Sequence, residues 1–223
     1  MPRQNAFPVP ERGSGARFVR HTGIAAPYMV DNMSTDVPSP PADASGLAAL
    51  GMTSEAEMAF ANIRYFADGT ERPDFVFNQE PYRTASIMIV GLNYGTGSSR
   101  SGAITRPLAA WGVRVYIGES FGPIFLTNAV QYGVLTIELP RPTLEMLAEW
   151  ARTNPGIEMT VDLEREVIEV PGMAPITFEA NARYRRKLME GVTDMEEMEP
   201  HLPAAAVQRA EDEQARPWVY QYR

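Results

Sequence analysis

The sequence predicts an α/β fold in which helices flank a mainly parallel sheet. The first observation is a set of three short apolar segments, at 85–91, 113–117 and 134–139, which have the uninterrupted apolar character of strands buried on both faces. The second is a helical pattern after each of the first two segments, one ending near Trp111 and one over 121–132. Since strands that alternate with helices pair in parallel through right-handed crossovers, these elements predict a parallel unit.

The residues before this unit follow a less regular pattern. An extended entry segment or a strand pair is predicted over 17–30, interrupted at Gly23 and Pro27. A helix is predicted over 54–66, because Ser54 opens an approximate apolar face with the spacing of a capping box. Prolines and other turn residues between these two elements predict an irregular segment.

After the parallel unit, the sequence predicts three helices and a hairpin. The helices cover 143–153, 178–190 and 203–215. Apolar residues alternate over 157–170, which predicts a hairpin that turns near Arg165. The tryptophans of the chain, Trp218 included, are interpreted as packing residues.

Two charged groups occur in the C-terminal third of the chain. A basic cluster lies on the helix predicted at 178–190 and is interpreted as a helix face or a subunit contact in preference to a substrate site; its members are Arg183, Arg185, Arg186 and Lys187. An acidic run is interpreted as a solvated surface; its members are Glu196, Glu197 and Glu199.

The composition excludes several classes of protein. The chain of 223 residues has 20 basic and 28 acidic side chains, a net charge of −8, and lacks the clustered basic excess of a nucleic-acid binder. It contains no cysteine, and so no disulfide, thiolate nucleophile, zinc–thiolate site or iron–sulfur cluster held by its own thiolates. Its two histidines, His21 and His201, are too far apart for a helical metal pair, and no metal site is expected. His21 is interpreted as a structural hydrogen-bonding residue.

The sequence also predicts domain boundaries and a location. Residues 1–16 are expected to form a flexible arm, 17–218 a single α/β domain and 219–223 a tail. The longest strongly apolar run is far shorter than the ~20 residues that cross a bilayer, and the N-terminal residues lack the apolar stretch of a secretory signal. A cytoplasmic location is therefore expected.

The motif that carries chemistry is Gly95-Thr96-Gly97-Ser98-Ser99-Arg100, here called the cradle loop, between a predicted buried strand and a predicted helix. Glycines let the backbone approach a ligand, helix N-terminal amides favour negative charge, and an arginine can hold a carboxylate through two parallel bonds. A dinucleotide-binding fingerprint would need glycine at Arg100, and a P-loop would need Gly-Lys-Ser/Thr. A plain strand-to-helix turn with serine caps and a surface arginine remains an alternative interpretation of the pattern alone.

The cradle loop and further stretches resemble the small subunit of 3-isopropylmalate dehydratase, the swivelling domain of the aconitase superfamily. The stretches occur in the family's order over nearly the whole chain, from about Phe18 to Trp218: His21-Thr22-Gly23 with Pro27, Asn32 and Thr35-Asp36; Pro73 to Asn78; Ser120-Phe121, Ile124-Phe125, Asn128 and Gly133 after the cradle loop; Asn154-Pro155-Gly156 with Val161-Asp162-Leu163; and Arg185-Arg186 with Gly191. The resemblance implies the swivelling β/β/α domain fold of the aconitase C-terminal domain.

The resemblance also implies an activity and a division of labour. In that family a 2-hydroxy acid is dehydrated and rehydrated, here 2-isopropylmalate to 3-isopropylmalate in leucine biosynthesis. A [4Fe–4S] cluster would lie in a separate aconitase-like large subunit, so this chain would hold no cofactor and be inactive alone. Ser98 corresponds to the base and Arg100 to a group that binds a substrate carboxylate. Gly97, Ser99 and the pair Thr35-Asp36 are the other substrate-binding residues that the resemblance implies.

The chain departs from the family pattern at several places, three of which bear on the site. The family continues Glu-His after the arginine, whereas this chain has Ser101 and Gly102. The family's Asp-Thr-Asp begins here with Ser34, and the segment at 38–52 lacks the expected aromatic residue. These departures leave two alternatives open: a divergent hydratase subunit for another small di- or tricarboxylate, and a non-catalytic paralogue that binds a partner or an anion.

Overall fold

A mixed seven-stranded sheet forms the centre of the fold in the computed structural model, which describes residues 17–37, 54–97 and 105–220. Its strands are β1 (Arg20–Tyr28), β2 (Ile87–Val90), β3 (Val115–Gly118), β4 (Leu135–Glu138), β5 (Glu158–Asp162), β6 (Val167–Glu169) and β7 (Ile176–Thr177). The strand order is β4-β3-β2-β1-β5-β6-β7. Strands β1 to β4 are parallel, whereas β5, β6 and β7 continue the sheet in antiparallel pairs. The predicted α/β class with a mainly parallel sheet is confirmed.

Helices cover both faces of this sheet. They are α1 (Glu55–Met58), α2 (Ala61–Arg64), α3 (Thr105–Trp111), α4 (Pro123–Gln131), α5 (Arg141–Thr153), α6 (Ala182–Glu190), α7 (Asp194–Met198) and α8 (Leu202–Ala215). Short 3-10 turns lie at Val76–Asn78, Tyr82–Thr84, Glu199–His201 and Pro217–Tyr220. Within the described residues, none of the helices combines the length and the apolar character needed to span a bilayer.

Two apolar clusters, one on each face of the sheet, make up the core. Met88 and Val90 of β2 contribute to the cluster that contains residues of α3 and α4. Ile87 and Ile89 contribute to the opposite cluster, which contains the buried residues of α5. All four side chains of β2 are buried, because the strand is covered on both faces, and this explains its uninterrupted apolar sequence.

The predicted interruption of the first strand is wrong, since β1 is one continuous strand of nine residues. Gly23 serves close packing here: a Cβ atom at this position would lie 2.0 Å from Oγ of Ser86. Pro27 is tolerated because pairing of β1 with β5 ends at Ile24, so that at the proline the register gives the strand a neighbour only in β2.

The predicted helix over 54–66 is divided into α1 and α2. Its start is confirmed, with a capping box between Ser54 and Glu57. Between the two helices Phe60 has a φ of +59° and is fully buried, and its ring stacks on Phe77 at 5.6 Å between centroids. The aromatic packing therefore outweighs the unfavourable backbone conformation and bends the chain.

The remaining elements follow the predictions with shifted ends. The hairpin is formed by β5 and β6, and the three C-terminal helices correspond to α5, α6 and α8. The start of the helix that ends at Trp111 lies outside the described residues, as does the predicted arm at 1–16. The domain boundaries stay predictions. The packing interpretation of Trp218 is wrong, because its side chain is 60% exposed.

Candidate active site

The segments that follow β1 and β2 meet at the carboxyl edge of the parallel strands. The backbone amide of Thr35 donates to the carbonyl of Thr96 at 2.8 Å, and the amides of Gly95 and Thr96 donate to the carbonyl of Met33 at 3.0 and 3.2 Å. Ser34 and Thr96 form a parallel β-bridge. These two segments, residues 33–36 and 94–97, are called the loop pair, and they bring the predicted site residues Thr35, Asp36 and Gly97 to one place.

Two glycines of the loop pair have conformations and neighbours that exclude a side chain. Gly95 has a φ of +74°, and a Cβ atom there would lie 2.5 Å from Cγ of the buried Phe125. Gly97 has a φ of +111°, and a Cβ atom there would lie 2.9 Å from Oγ1 of Thr35. The backbone that leads into Ser98 is therefore packed directly against the segment after β1.

The segment after β3 supports the same loop from the other side. The amide of Tyr94 donates to the carbonyl of Ser120 at 3.0 Å, and the amide of Gly122 donates to the carbonyl of Tyr94 at 2.9 Å. A Cβ atom at Gly122 would lie 2.4 Å from the carbonyl oxygen of Gly95. The motif at 120–125 that carries part of the resemblance thus supports the cradle loop, with α4 beginning directly beneath it.

A buried aromatic cluster lies under the loop pair. The ring of Tyr94 is 5.5 Å from those of Tyr116 and Phe125, and the last two are 5.1 Å apart in an edge-to-face arrangement. Burial raises the pKa of the Tyr94 and Tyr116 hydroxyls well above 10. Both groups remain neutral near pH 7, so they serve as packing and do not act as bases.

A charged network that sequence reasoning missed joins the ends of the parallel strands. Oδ1 of Asp31 accepts hydrogen bonds from the Leu92 amide at 2.8 Å and from Nη1 of Arg141 at 2.7 Å. Arg141 also contacts Glu119 at 3.5 Å and Glu145 at 3.1 Å. The Leu92 amide and Arg141 hold the pKa of the Asp31 carboxyl below its usual value. Opposite charges placed just after two predicted strands were the signal that could have identified this pair.

The structure brings together part of the predicted site. Thr35 is 2% exposed, whereas Asp36 is exposed and its carboxylate accepts from the Ser34 hydroxyl at 3.3 Å. Three further predicted site residues, Ser98, Ser99 and Arg100, lie outside the described residues, so their roles stay predictions.

The donor groups of this chain do not match the ligand set of an iron–sulfur cluster. The sequence has no cysteine. In the ranges 17–37, 54–97 and 105–220, no three His, Asp or Glu side chains are grouped so as to hold a metal ion. Any cluster at this edge of the sheet would need ligands from another chain.

Comparison with known proteins identifies the family. The family model of the aconitase C-terminal domain matches residues 16–142. The chain is 40% identical over 203 residues to the 3-isopropylmalate dehydratase small subunit of Gluconobacter oxydans, covering 91% of this chain and 95% of that protein. It is 39% identical over 204 residues to the protein of the same name from Gluconacetobacter diazotrophicus, covering 91% and 96%.

A solved structure confirms the fold. The chain superimposes on 3-isopropylmalate dehydratase from Methanocaldococcus jannaschii with a TM-score of 0.54 at 20% identity, covering 85% of this chain and 99% of that one. The similarity extends beyond the residues that the family model matches. The 40% identity over most of the chain confirms the family resemblance. The chain therefore belongs to the aconitase C-terminal domain family, among the small subunits of 3-isopropylmalate dehydratase.

Proposed function

We propose that this chain is the small subunit of a hydro-lyase that isomerises 2-isopropylmalate to 3-isopropylmalate in leucine biosynthesis, by dehydration and rehydration. The observation that carries the proposal is 40% identity over 91% of the chain to a protein of that name, with the cradle loop retained in the sequence. The geometry of the loop pair supports it, since Gly97 is held in contact with the Thr35 segment immediately before Ser98.

An aconitase-like large subunit would complete the active site. The relatives are named as small subunits, which implies such a partner, and this chain has no thiolate for a [4Fe–4S] cluster. When bound in the partner, the cluster supplies Lewis acidity for loss of the substrate hydroxyl. The cytoplasmic location expected from the sequence remains part of this proposal.

The residues of this chain would bind the substrate and move one proton. Oγ of Ser98 takes a proton from a substrate carbon during dehydration and returns a proton during rehydration. A serine hydroxyl is a weak base, so its alkoxide must be stabilised by backbone amides of the cradle loop after Thr96, because the amides of Gly95 and Thr96 already donate to Met33. Arg100 binds a substrate carboxylate through two parallel hydrogen bonds, assisted by Ser99 and the Gly97 backbone.

Thr35 and Asp36 would have different parts in the same site. Thr35 is almost fully buried beside Gly97, so it supports the backbone that presents Ser98. Asp36 is exposed at the same edge, as a residue that contacts substrate must be before the partner closes the site. Because the Glu-His pair of the family is absent after Arg100, Asp36 and Thr35 supply charged and polar groups at this site.

The experiment pairs each site variant with a neighbouring control in the complex with the large subunit. Ser98→Ala should lower kcat for 2-isopropylmalate by about 10³-fold, whereas Ser101→Ala should change it less than about twofold. Arg100→Lys should lower kcat/KM by more than about tenfold, because lysine cannot form the two-bond contact, and Arg106→Lys should not. A Ser98→Ala complex with full activity would disprove the assignment of the base.

A further inference from the structure

Helix α8 packs very little against the rest of the domain. None of its 14 residues is buried, and the helix packs chiefly against the 3-10 turns at its two ends, Glu199–His201 and Pro217–Tyr220. Helices of this length are marginal in water without tertiary packing. An external surface that packs against α8 would supply the missing stabilisation.

The C-terminal segment, residues 194–220, exposes both apolar and acidic side chains. Half of the large apolar side chains that the described residues expose lie here: Met195, Met198, Leu202, Val207, Trp218 and Val219. The segment 194–220 also holds seven acidic side chains and two arginines. Asp194 and Glu197 pair with cations of α6, and Asp212 pairs with Arg216. A concentration of exposed apolar side chains of this kind is typical of a protein–protein contact.

The chain covers one side of α8 itself and leaves another side open. The Tyr220 hydroxyl donates to Asp212 at 2.8 Å, Arg216 donates to the same carboxylate at 2.6 Å, and the Arg209 guanidinium lies over the Tyr220 ring. At 100° per residue, Ala206 and Val207 lie about 120° and 140° from Asp212, whereas Leu202 lies only about 80° from it, beside Arg209. Val207 is 61% exposed, so the side that carries Ala206 and Val207 is the one open to a partner.

An exposed path joins the cradle loop to this segment along α4. The helix begins at Pro123 beside the loop, and Ile124 in its first turn is 47% exposed. At its far end, Val130 and Gln131 line a cavity of about 290 Å³ together with α6 and α7, whose lining residues are Arg183, Tyr184, Lys187, Asp194, Glu197 and Met198. Because each helical residue advances about 1.5 Å, a protein that covers the cradle loop reaches this cavity after only about 10 Å.

We infer that the open side of α8, with the cavity between α4 and α7, is a docking surface for the large subunit, an inference that rests on the proposed function. The partner must cover the cradle loop to complete the site, and the exposed path leads from there to α8. Glu199, Glu211 and Glu213 have no ion-pair partner among the described residues, and they favour a partner groove that is apolar with a basic rim. A second copy of this chain would instead bring acidic groups together, which disfavours self-association through α8.

The test measures the affinity of the full chain for the large subunit from the same organism, by anaerobic isothermal titration. Val207→Asp should raise Kd by at least tenfold, because it places a charge in the apolar contact. The matched control is Met146→Asp on α5, an apolar side chain of 43% exposure on the opposite face of the sheet, which should leave Kd within twofold. Glu211→Lys with Glu213→Lys should also weaken binding, and should reduce its dependence on salt.

The outcomes distinguish the large subunit from a second copy of this chain as the partner of α8. The inference is supported if Val207→Asp weakens the complex and Met146→Asp does not. The circular dichroism spectrum of Val207→Asp should be unchanged, and its kcat should be restored when the large subunit is saturating. It is overturned if both α8 variants bind like the unmodified chain, or if the unmodified chain does not bind the large subunit. It is also overturned if Val207→Asp dissociates a homodimer of the isolated chain instead. A tight complex that fails to convert 2-isopropylmalate would contradict the proposed function and leave the docking surface intact.

Discussion

Gly97 is the glycine that brings the backbone before Ser98 into contact with Thr35. It has a φ of +111°, and a Cβ atom there would meet Oγ1 of Thr35. Gly172 has a φ of +80°, but a Cβ atom at that position would have no neighbour within 4 Å. Comparison of alanine at these two glycines therefore separates backbone strain from the contact with Thr35.

Gly97→Ala should lower kcat/KM by more than about tenfold in the complex, because the cradle loop must move away from Thr35, and misplaced groups lose catalytic efficiency steeply. Gly172→Ala should cost only the left-handed strain, about 1 kcal/mol of unfolding free energy, with kcat/KM unchanged. Urea unfolding and steady-state kinetics on the two variants check this. Equal kinetic effects at both glycines would contradict a role for the Thr35 contact.

His21 should make stability depend on pH. Its Nε2 lies 2.8 Å from Oγ of Ser86, and burial, with a smaller contribution from Arg114, lowers its pKa from 6.5 to about 4. The unfolded chain therefore binds a proton here at a higher pH than the folded chain. The contribution of His21 is complete above about pH 6.5 and is lost as the pH falls towards 4.

The part of this loss that falls between pH 6.5 and 5 should amount to about 1 kcal/mol of unfolding free energy, allowing for partial exposure of the ring. Urea unfolding at intervals between pH 7.5 and 5 measures it in a range where carboxylates remain ionised. His21→Gln should remove most of the slope. An unchanged slope in that variant would show that other groups cause the pH dependence.

At the scale of single residues, the sequence predicts the chemistry of the cradle loop better than it predicts the distant contacts that hold the loop in place. Gly97 and Thr35 could be predicted, because glycine conformation and the family motif are local properties of the sequence. Asp31 and Arg141 are 110 positions apart, and their 2.7 Å contact follows only from which strand ends are neighbours in the sheet. The opposite charges after two predicted strands suggest such a pair, but they do not say which strand ends are neighbours.

Among the elements, α6 and α7 form an ion-pair network that changes the interpretation of two charged clusters. Glu197 accepts from Arg183 at 2.9 Å and from Arg186 at 2.6 Å, and it lies 3.0 Å from Nζ of Lys187, which also contacts Asp194. The basic cluster is thus in part a helix face paired with α7. The prediction that the whole acidic run is a solvated surface is wrong at Glu197, because only 19% of its side chain is exposed.

Glu197→Gln should lower Tm by several degrees, because Lys187 is 8% exposed and would lose one of its two carboxylate partners. Glu149→Gln is the control, since its pair with Arg152 lies on the surface of α5, where such pairs contribute little. Hydrogen bonds from Arg183 and Lys187 lower the pKa of Glu197 to about 2. The contribution of Glu197 to stability should therefore be complete above its unfolded pKa of about 4.5 and be lost as the pH falls towards 2. Scanning calorimetry at pH 7 and pH 3 tests this, because the Tm loss of Glu197→Gln should be smaller at pH 3. Equal Tm losses in the two variants at pH 7 would contradict the role of the network.

Elements formed by local patterns were predictable, and elements that depend on distant partners were not. Strands β2, β3 and β4 alternate with helices along the chain, so their parallel pairing follows from connection rules. Strand β1 pairs with β2 on one side and with β5, more than 100 residues later, on the other. The division of the helix at Phe60 likewise depends on a distant ring, Phe77.

At the scale of the whole molecule, the site is an edge built from four strand ends and left incomplete by this chain. The loop pair provides Gly97, Thr35 and Asp36, while metal ligation would require another subunit. The exposed C-terminal segment, centred on α8, is the other feature that a partner would complete. Helical periodicity predicts α8 itself but not its exposure, because exposure depends on which distant residues pack against the helix.

Whether this chain completes the active site of a 3-isopropylmalate dehydratase is best decided by mixing it anaerobically with its large subunit. Formation of 3-isopropylmalate from 2-isopropylmalate would be followed by chromatography, with each subunit alone as the control. Product is expected only from the mixture, in proportion to the complex formed. Product from the isolated chain, or a complex that converts another hydroxy acid and leaves 2-isopropylmalate unchanged, would contradict the proposed function.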